Sequence, residues 1–460
     1  MPTTKCSHFL SSHKKVKRLR ELMGYARTAT VAELSTKLCE VWSDSQCIIA
    51  EVRILLTLGA NPHSLFSDNY GEEVLNQRVR IGNLCPRCKE QFCDFLKYSL
   101  KIHKEQFEKI PIRVDSFLPG HVGHTVLALD GGGMRGLVSV VCLLFISRRL
   151  FGNEYLPHLF DWIVGTSTGS LLGLSLAKGL SLTDVFFLYW DMKDRIFLDG
   201  STMKRLFGNI VDRQSINLDF VLNECFPDKF TFNRCPKRLT VPALDISTTP
   251  ARLHIFRNYS PAASFDTDDE SMDDVLFRDA ARASSAAPTY FHPHKYKGKN
   301  LVDGSFVANC PLNILFQEFD QCNRYGSMTT LAAILSIGTG EPQRTTRKYN
   351  PGKGKDIRSK GRNLINLSTL LLEQVVGHEM SALESAEIRC SAQNIPFIRV
   401  SPKGIKVRID QVNDEVLIDM IWTTLRYLSE NTEEIDRLGR LFIDLFGEPS
   451  YRRVRSNTSL

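Results

Sequence analysis

The sequence predicts an α/β fold: a three-layer α/β/α sandwich with a mostly parallel central sheet, preceded by a small helical segment. From residue 125 onward, short apolar runs alternate with glycine-containing turns and apolar helical patterns. Strands that alternate with helices in this way build a mostly parallel sheet covered on both faces. Residues 1–115 differ, because they are charged and show helical rather than strand patterns.

The elements follow in order along the chain. A strand is predicted at 125–129 and a mostly apolar helix at 137–150, then a second strand at 161–164 and a helix at about 167–178. Later strands are predicted at 239–246, 254–257, 301–302 and 331–337. The acidic stretch 260–274 and the basic stretch 344–362 are predicted to be solvated loops. One domain therefore covers 120–447, and a basic, disordered tail follows at 448–460.

The N-terminal segment, residues 1–115, contains an apolar run that ends in Gly59-Ala-Asn61-Pro62 and is followed by a turn at Asp68-Asn-Tyr-Gly71. This resembles the end of one ankyrin repeat and the start of the next. Ankyrin repeats need about three stacked units to bury their apolar faces, and only one unit with part of a neighbour is present here. A short helical hairpin docked on the sheet domain remains the alternative.

The composition is that of a soluble globular protein, with 43% hydrophobic and 24% charged residues. The net charge of +7 suits contact with an anionic membrane surface, whereas no nucleic-acid-binding signature is present. No apolar leader and no uncharged run of membrane-spanning length occurs, so we expect a cytoplasmic, peripherally membrane-associated protein. The basic start, from Lys14 to Arg20, leaves mitochondrial targeting open.

Neither a metal nor a cofactor is predicted. Twelve cysteines without a secretory leader are typical of reduced thiols. Cys85, Cys88, Cys93 and His103 form a candidate zinc set, but the usual second Cys-x-x-Cys is absent, so free thiols are the prediction. No EF-hand loop is present, and the acidic stretch 266–274 is the only local candidate for calcium.

The first chemical motif is Gly165-Thr-Ser167-Thr-Gly169, between a predicted strand and a predicted helix. This is the setting of a nucleophile elbow. The flanking Gly165 and Gly169 permit the tight turn that lifts the serine hydroxyl above the sheet edge, and the helix N-terminus favours developing negative charge. The motif therefore predicts a serine nucleophile.

The second motif is Asp130-Gly-Gly-Gly133-Met-Arg135-Gly136, again between a strand and a helix. Successive glycines let backbone N–H groups converge on one oxygen, as an oxyanion hole requires. Arg135 would add positive charge or brace the loop. The glycines also satisfy the dinucleotide pattern Gly-x-Gly-x-x-Gly, but the acidic residue expected at the end of the second strand is missing. The oxyanion hole is the favoured interpretation.

The third motif is Leu301-Val-Asp303-Gly304-Ser305, where a strand ends in a carboxylate. An isolated Asp-Gly is usually a turn cap. Together, however, the three motifs resemble the patatin-like phospholipase family, and similarity also covers 192–194, 282–291, 336–340 and 410–428. The resemblance implies a Ser–Asp dyad on a sheet flanked by helices. It assigns the nucleophile to Ser167, the general base to Asp303 and the oxyanion donors to Gly131, Gly132 and Gly133.

With the ankyrin-like stretch, the chain is most similar to the ankyrin-bearing calcium-independent phospholipases A2. The implied activity is calcium-independent hydrolysis of fatty acyl esters of glycerophospholipids. Hydrolysis of lysophospholipids or neutral lipids and an inactive lipid-binding scaffold remain alternatives. The chain departs from the family in reading Asp-Gly-Ser at 303–305 rather than Asp-Gly-Gly or Asp-Gly-Ala. It also lacks most of an ankyrin array, which leaves a homo-oligomer open.

Four histidines near the third motif in sequence are candidates for a Ser–His–Asp triad. His254, His292, His294 and His378 lie before or after Asp303 in the chain. An α/β-hydrolase triad would place its histidine after the acid. We interpret all four as structural or surface residues, with the triad as the alternative to the dyad.

Overall fold

The computed structural model describes residues 12–44, 49–65, 86–117, 123–197, 210–260, 275–324, 329–341 and 380–447. Its eight-stranded sheet has the order β5-β6-β3-β2-β1-β7-β8, and β4 also pairs with β3. The strands are β1 His124–Leu129, β2 Trp162–Gly165, β3 Arg238–Asp245, β4 Arg252–Arg257, β5 His294–Tyr296, β6 Lys299–Asp303, β7 Leu331–Ile337 and β8 Phe397–Val400.

The centre of the sheet is parallel. Parallel pairs join β3, β2, β1, β7 and β8, whereas β4 and β6 run antiparallel to β3, and β5 antiparallel to β6. In β1 the register pairs Leu129 with Gly165 on one side and with Ile337 on the other. The carboxyl ends of three parallel strands therefore meet at one edge, which is where ligand sites form in such sheets.

The described helices of the sheet domain are α5 Gly136–Phe151, α6 Thr168–Lys178, α7 Leu182–Arg195, α8 Ile210–Cys225, α9 Phe277–Ser284, α10 Ser305–Ala308, α11 Leu312–Arg324, α12 Met380–Ala392, α13 Asp414–Glu430 and α14 Glu433–Phe446. Four helices precede the sheet: α1 Ser12–Ala26, α2 Val31–Ser43, α3 Ile49–Thr57 and α4 Pro86–Phe107.

Two apolar clusters cover the two faces of the sheet. Alternate residues of β1 point to opposite faces, so that Leu127 and Leu129 join one cluster while Val126 and Ala128 join the other. The larger cluster contains α5, α6, α7 and α13, and the smaller one contains α11 and α12. The predicted α/β class with a mostly parallel sheet is confirmed. Strands β5 and β8 were not predicted, because β5 is only three residues long without an apolar run and β8 is only four residues long with Arg399 among its apolar residues.

The N-terminal helices dock on the sheet domain. Phe95 of α4 stacks on Trp422 of α13 with ring centroids 5.8 Å apart. Arg53 of α3 is 5% exposed, and its Nη1 lies 2.6 Å from the Asp419 carboxylate of α13. The Nη1 of Arg148 in α5 donates to the Thr57 carbonyl at 2.7 Å. The Arg53 guanidinium also packs over the ring of Trp422 at 5.1 Å, so truncation of Arg53 would remove both an ion pair and a packing contact from this interface.

Several predicted features fall outside the described residues. They are the turn at 68–71, nearly all of 260–274, the basic stretch 344–362, His378 and the tail 448–460. The described helices are arranged as a helical layer on the sheet domain, and the ankyrin resemblance is not confirmed. The division at 115–120 stays a prediction. Among the described residues, no helix combines the length and apolar character that crossing a bilayer demands.

Candidate active site

Ser167 sits at the turn between β2 and α6. Its backbone has φ 52° and ψ −120°, a strained conformation for a non-glycine residue. The two flanking glycines are sterically required: a Cβ on Gly165 would lie 2.4 Å from the Gly169 carbonyl oxygen, and one on Gly169 would lie 2.3 Å from that of Leu129. Ser167 is only 8% exposed. A strained, nearly buried serine in a tight strand-to-helix turn is the arrangement of a nucleophile elbow.

Asp303 is the last residue of β6 and faces the serine. The Ser167 hydroxyl donates to Asp303 Oδ2 at 2.9 Å, and the Ser305 N–H donates to Oδ1 at 2.8 Å. Burial raises the pKa of the Asp303 carboxyl to about 6, although hydrogen bonds from the Ser305 backbone and hydroxyl and from Ser167 lower it. The carboxyl group is therefore ionised at neutral pH yet more basic than a solvated aspartate, as proton abstraction requires.

The glycine loop follows β1 and borders the serine. Gly132 and Gly133 line the same cavity as Ser167 and Asp303. No acceptor for their N–H groups is found among the described residues, whereas the next N–H, of Met134, donates to the Ile409 carbonyl at 2.8 Å. Gly133 has φ 57°, and a Cβ there would meet the Ile409 carbonyl oxygen at 2.4 Å. The loop thus presents two backbone donors beside the serine.

Gly131 differs from the other two glycines, which corrects its prediction as an oxyanion donor. Its N–H donates to the Asn309 carbonyl at 3.0 Å, so this donor is already committed. Its carbonyl accepts from the Thr339 hydroxyl at 2.9 Å. Gly131 therefore anchors the loop instead of facing the cavity.

Other side chains brace the loop from behind. Arg135 is 5% exposed and is not among the described residues that line the cavity, which fits a bracing role better than added charge at the serine. Asp130 is fully buried and forms an ion pair with Arg399 of β8. Arg399 also donates to the Ser336 hydroxyl at 2.7 Å. Asn309 and Arg399 carry no sequence signal of their own, whereas Thr339 lies within the similar stretch 336–340.

The cavity above the dyad is apolar. It is lined chiefly by hydrophobic side chains of α6, α7 and α8 and of the segments after α9 and β8, among them Leu171, Met192, Leu218, Leu222, Phe291 and Ile409. An apolar cavity with a few convergent polar groups is the usual form of a small-molecule site. Its polar lining includes Ser167, Asp303 and the glycine loop, together with several hydroxyl side chains such as those of Tyr189 and Ser305.

The described histidines lie away from the serine. His292 Nε2 contacts Asp212 at 2.5 Å, and His294 Nε2 lies 3.2 Å from Asp279. His254 on β4 contacts the ring of Phe256. In the described part of the chain no histidine lines the cavity. The serine's hydrogen-bond partner is the carboxylate itself.

Comparison with known proteins gives consistent matches. The family model for patatin-like phospholipase matches residues 127–316. The 85/88 kDa calcium-independent phospholipase A2 of Rattus norvegicus is 28% identical over 411 residues, covering 84% of this chain and 47% of the relative. Intracellular phospholipase A2 of Caenorhabditis elegans is 27% identical over 383 residues, covering 81% of this chain and 33% of the relative. The cGAMP-activated phospholipase of Escherichia coli (strain TW11681) is 34% identical over 230 residues, covering 46% of this chain and 61% of the relative.

The fold and the site define a class of α/β sandwich in which a serine elbow faces a buried carboxylate. Residues 127–316, which contain the serine elbow, the glycine loop and Asp303, match the model of the patatin-like phospholipase family. The predicted similarity to calcium-independent phospholipases A2 is confirmed by the relatives. The chain spans less than half the length of the Rattus norvegicus and Caenorhabditis elegans relatives.

Proposed function

We propose that this protein is a calcium-independent serine acyl hydrolase that cleaves fatty acyl esters of glycerophospholipids, with Ser167 and Asp303 as its catalytic dyad. The observation that carries the proposal is the 2.9 Å hydrogen bond from the Ser167 hydroxyl to Asp303 at the floor of an apolar cavity. A serine next to a base is the arrangement that nucleophilic acyl transfer needs.

The reaction proceeds in two halves. Asp303 accepts the hydroxyl proton as Ser167 Oγ bonds to the ester carbonyl carbon, and the carbonyl oxygen becomes an oxyanion held by the Gly132 and Gly133 N–H groups. Each such donor typically contributes about 3 kcal/mol to stabilising the transition state. Asp303 then returns the proton to the leaving alcohol. Water attacks the acyl-serine with Asp303 again as base, releasing the fatty acid and restoring the serine.

The substrate class is supported by the cavity and by the relatives. Hydrophobic side chains line the cavity, which suits a fatty acyl chain rather than a polar acyl group. Three relatives are named as phospholipases A2. Lysophospholipids and neutral lipids carry the same acyl ester, so they remain the alternative substrates.

A phospholipid surface is the proposed partner, and the proposed location is the cytoplasm with peripheral membrane attachment. Leu218 and Leu222 of α8 line the cavity, while Ile216 and Phe220 on the same helix are 65% and 58% exposed. Phe306, just after the dyad aspartate, is 36% exposed. Apolar side chains that are exposed beside a lipid-binding cavity suit insertion into a bilayer surface. The basic stretch 344–362 lies outside the described residues, and homo-oligomerisation stays a prediction.

The function is tested with defined lipids in excess EGTA. We expect release of fatty acid from phosphatidylcholine vesicles at full rate, because backbone N–H groups rather than an ion hold the oxyanion. A soluble short-chain ester in a parallel assay separates the chemistry from docking on the vesicle surface. Ser167→Ala is the control for contaminating lipases.

Each alternative has its own result in this assay. A strict calcium requirement would contradict the proposed site. If lysophosphatidylcholine or triacylglycerol is turned over faster than phosphatidylcholine, that lipid is the preferred substrate instead. No turnover, together with no labelling by a fluorophosphonate probe, would support the inactive scaffold.

The serine that replaces the family's Gly or Ala at position 305 is expected to set the acidic limit of activity. Its hydroxyl hydrogen-bonds the Asp303 carboxyl and lowers its pKa. The base must be ionised, so activity is lost as the pH falls through that pKa, which is about 6. In Ser305→Ala the pKa rises, and the acidic limb of the kcat/KM profile moves to higher pH. The alkaline limb serves as an internal control, and an unshifted acidic limb would refute this role.

A further inference from the structure

A second group of chemically competent side chains lies in the N-terminal helical layer, outside the candidate active site. His63 follows α3 in a short 3₁₀ turn, Pro62–Leu65, and His103 and Glu108 lie at the C-terminal end of α4. One atom from each side chain lies within 4.8 Å of the other two. None of the three lines the cavity at Ser167.

Hydrogen bonding accounts for only part of this group. His63 Nε2 lies 2.8 Å from Glu108 Oε1, a normal hydrogen-bond distance. His103 Nδ1 lies 3.7 Å from the same oxygen, which is too far for a hydrogen bond. That nitrogen is buried and has no hydrogen-bond partner. A buried imidazole nitrogen without a hydrogen-bond partner calls for a structural explanation, and a site for a bound ion is one.

The spacing suits a metal ion. Ligands at about 2.0–2.1 Å from a tetrahedral zinc lie about 3.3 Å from one another. The two separations from Glu108 Oε1, 2.8 Å and 3.7 Å, bracket this value, and the two histidine nitrogens lie within 4.8 Å of each other.

The backbone holds the ligands in place. The His63 N–H donates to the Asn61 side chain at 2.9 Å, which fixes the turn. The Glu108 N–H donates to the Lys104 carbonyl at 3.1 Å, which continues α4 by one residue. The ring of His103 contacts that of Phe107, with centroids 5.0 Å apart. Two of the three ligands thus sit on backbone that is fixed by hydrogen bonds.

We propose that His63, His103 and Glu108 form a zinc site, with water as the fourth ligand, that clamps the turn after α3 to the end of α4. Two imidazoles and a carboxylate are ligands that zinc prefers. The clamp would stabilise the interface between the helical layer and the sheet domain. Phe107, near the site, packs under Arg148 of the sheet domain, and Arg148 donates to the Thr57 carbonyl at the end of α3. The site acts on the stability of the helical layer and has no part in ester hydrolysis.

The test compares zinc binding by the full chain and by His63→Gln, His103→Gln and His292→Gln. His292→Gln is the matched control, because it removes a histidine–carboxylate pair that lacks a second imidazole. Wild type and His292→Gln are expected to bind one zinc per chain by calorimetry and to gain thermal stability from it. In His63→Gln and His103→Gln the affinity should fall by at least ~10²-fold, since a lost ligand costs more than the 10–100-fold of a lost outer partner.

Cobalt substitution separates this site from the chain's thiols. Bound Co²⁺ is expected to give visible d–d absorption without the near-ultraviolet thiolate-to-cobalt band that Cys93 or another cysteine would produce. A thiolate band, or unchanged zinc binding by His103→Gln, would overturn the proposal in favour of a cysteine site. Absence of zinc binding by the wild-type chain would mean that the three side chains form a hydrogen-bonded cluster only. Activity on a soluble ester should be equal in all four proteins.

Discussion

Ser167→Ala and Asp303→Asn should each abolish hydrolysis of phospholipid and of a soluble ester while the protein stays folded. The alanine removes the nucleophile, and the asparagine keeps the shape of the aspartate but cannot accept the proton from Ser167 Oγ, 2.9 Å away. Loss of a general base costs typically ~10²–10⁴ in rate. Residues that act as a unit are not additive, so the double variant should be no slower than either single one. The measurement is kcat on both substrates, with circular dichroism and Tm to check folding.

The histidines supply the matched controls. His292→Ala and His294→Ala should remain within about tenfold of wild type, because both side chains contact surface aspartates rather than the serine, unlike a general base. Turnover by a folded Asp303→Asn variant would show that another group removes the proton. The Ser–His–Asp triad would then return as the explanation, with His378, outside the described residues, as a further candidate.

Gly133→Ala should lower kcat by about 10²–10³-fold, the usual cost of losing one oxyanion donor. The residue has φ 57°, and the new Cβ would lie 2.4 Å from the Ile409 carbonyl oxygen, so the loop must move and its N–H must turn away from the serine. KM should change much less than kcat, because the donor acts on charge that develops in the transition state.

Gly179→Ala is the control for backbone strain. Gly179 has φ 97°, and nothing lies within 4 Å of its new Cβ, so it carries the strain of a left-handed alanine without moving the oxyanion loop. It should lose stability, measured as a lower Tm, and keep its kcat. Equal kcat values for wild type and Gly133→Ala would show that this glycine does not supply an oxyanion donor.

The sequence predicted the parts of the site that are built locally. The elbow at Ser167 and the loop at Gly132–Gly133 each lie in a short strand–turn–helix unit. Their glycines are required because neighbouring atoms approach too closely for a Cβ, and the resulting glycine patterns are visible in the sequence. Asp303 was harder, because an Asp-Gly pair is usually a turn cap and only the resemblance assigned it a role. The central strands of the sheet were also predicted from a local pattern, because each of them is an apolar run in the sequence.

What the sequence did not predict depends on contacts between distant segments. Whether the Gly131 N–H faces the cavity or a neighbour is decided by Asn309, which lies 178 positions further along the chain. Arg399 has its role only because β8 lies beside β7, next to β1. The pairing of His63 with His103 depends likewise on how the turn after α3 meets α4. No local pattern carries this information.

The anchoring of the oxyanion loop determines how small an active fragment of this protein can be. The family match ends at residue 316, but three groups that fix the loop come from beyond it: the Thr339 hydroxyl, the Arg399 guanidinium and the Ile409 carbonyl. A fragment cut at the family boundary would keep both members of the proposed dyad and leave Met134 without the acceptor that holds its N–H. The smallest unit that retains turnover must therefore extend past Ile409. A unit that also includes α13, which begins at Asp414, carries Asp419, the ion-pair partner of Arg53 in the N-terminal helices.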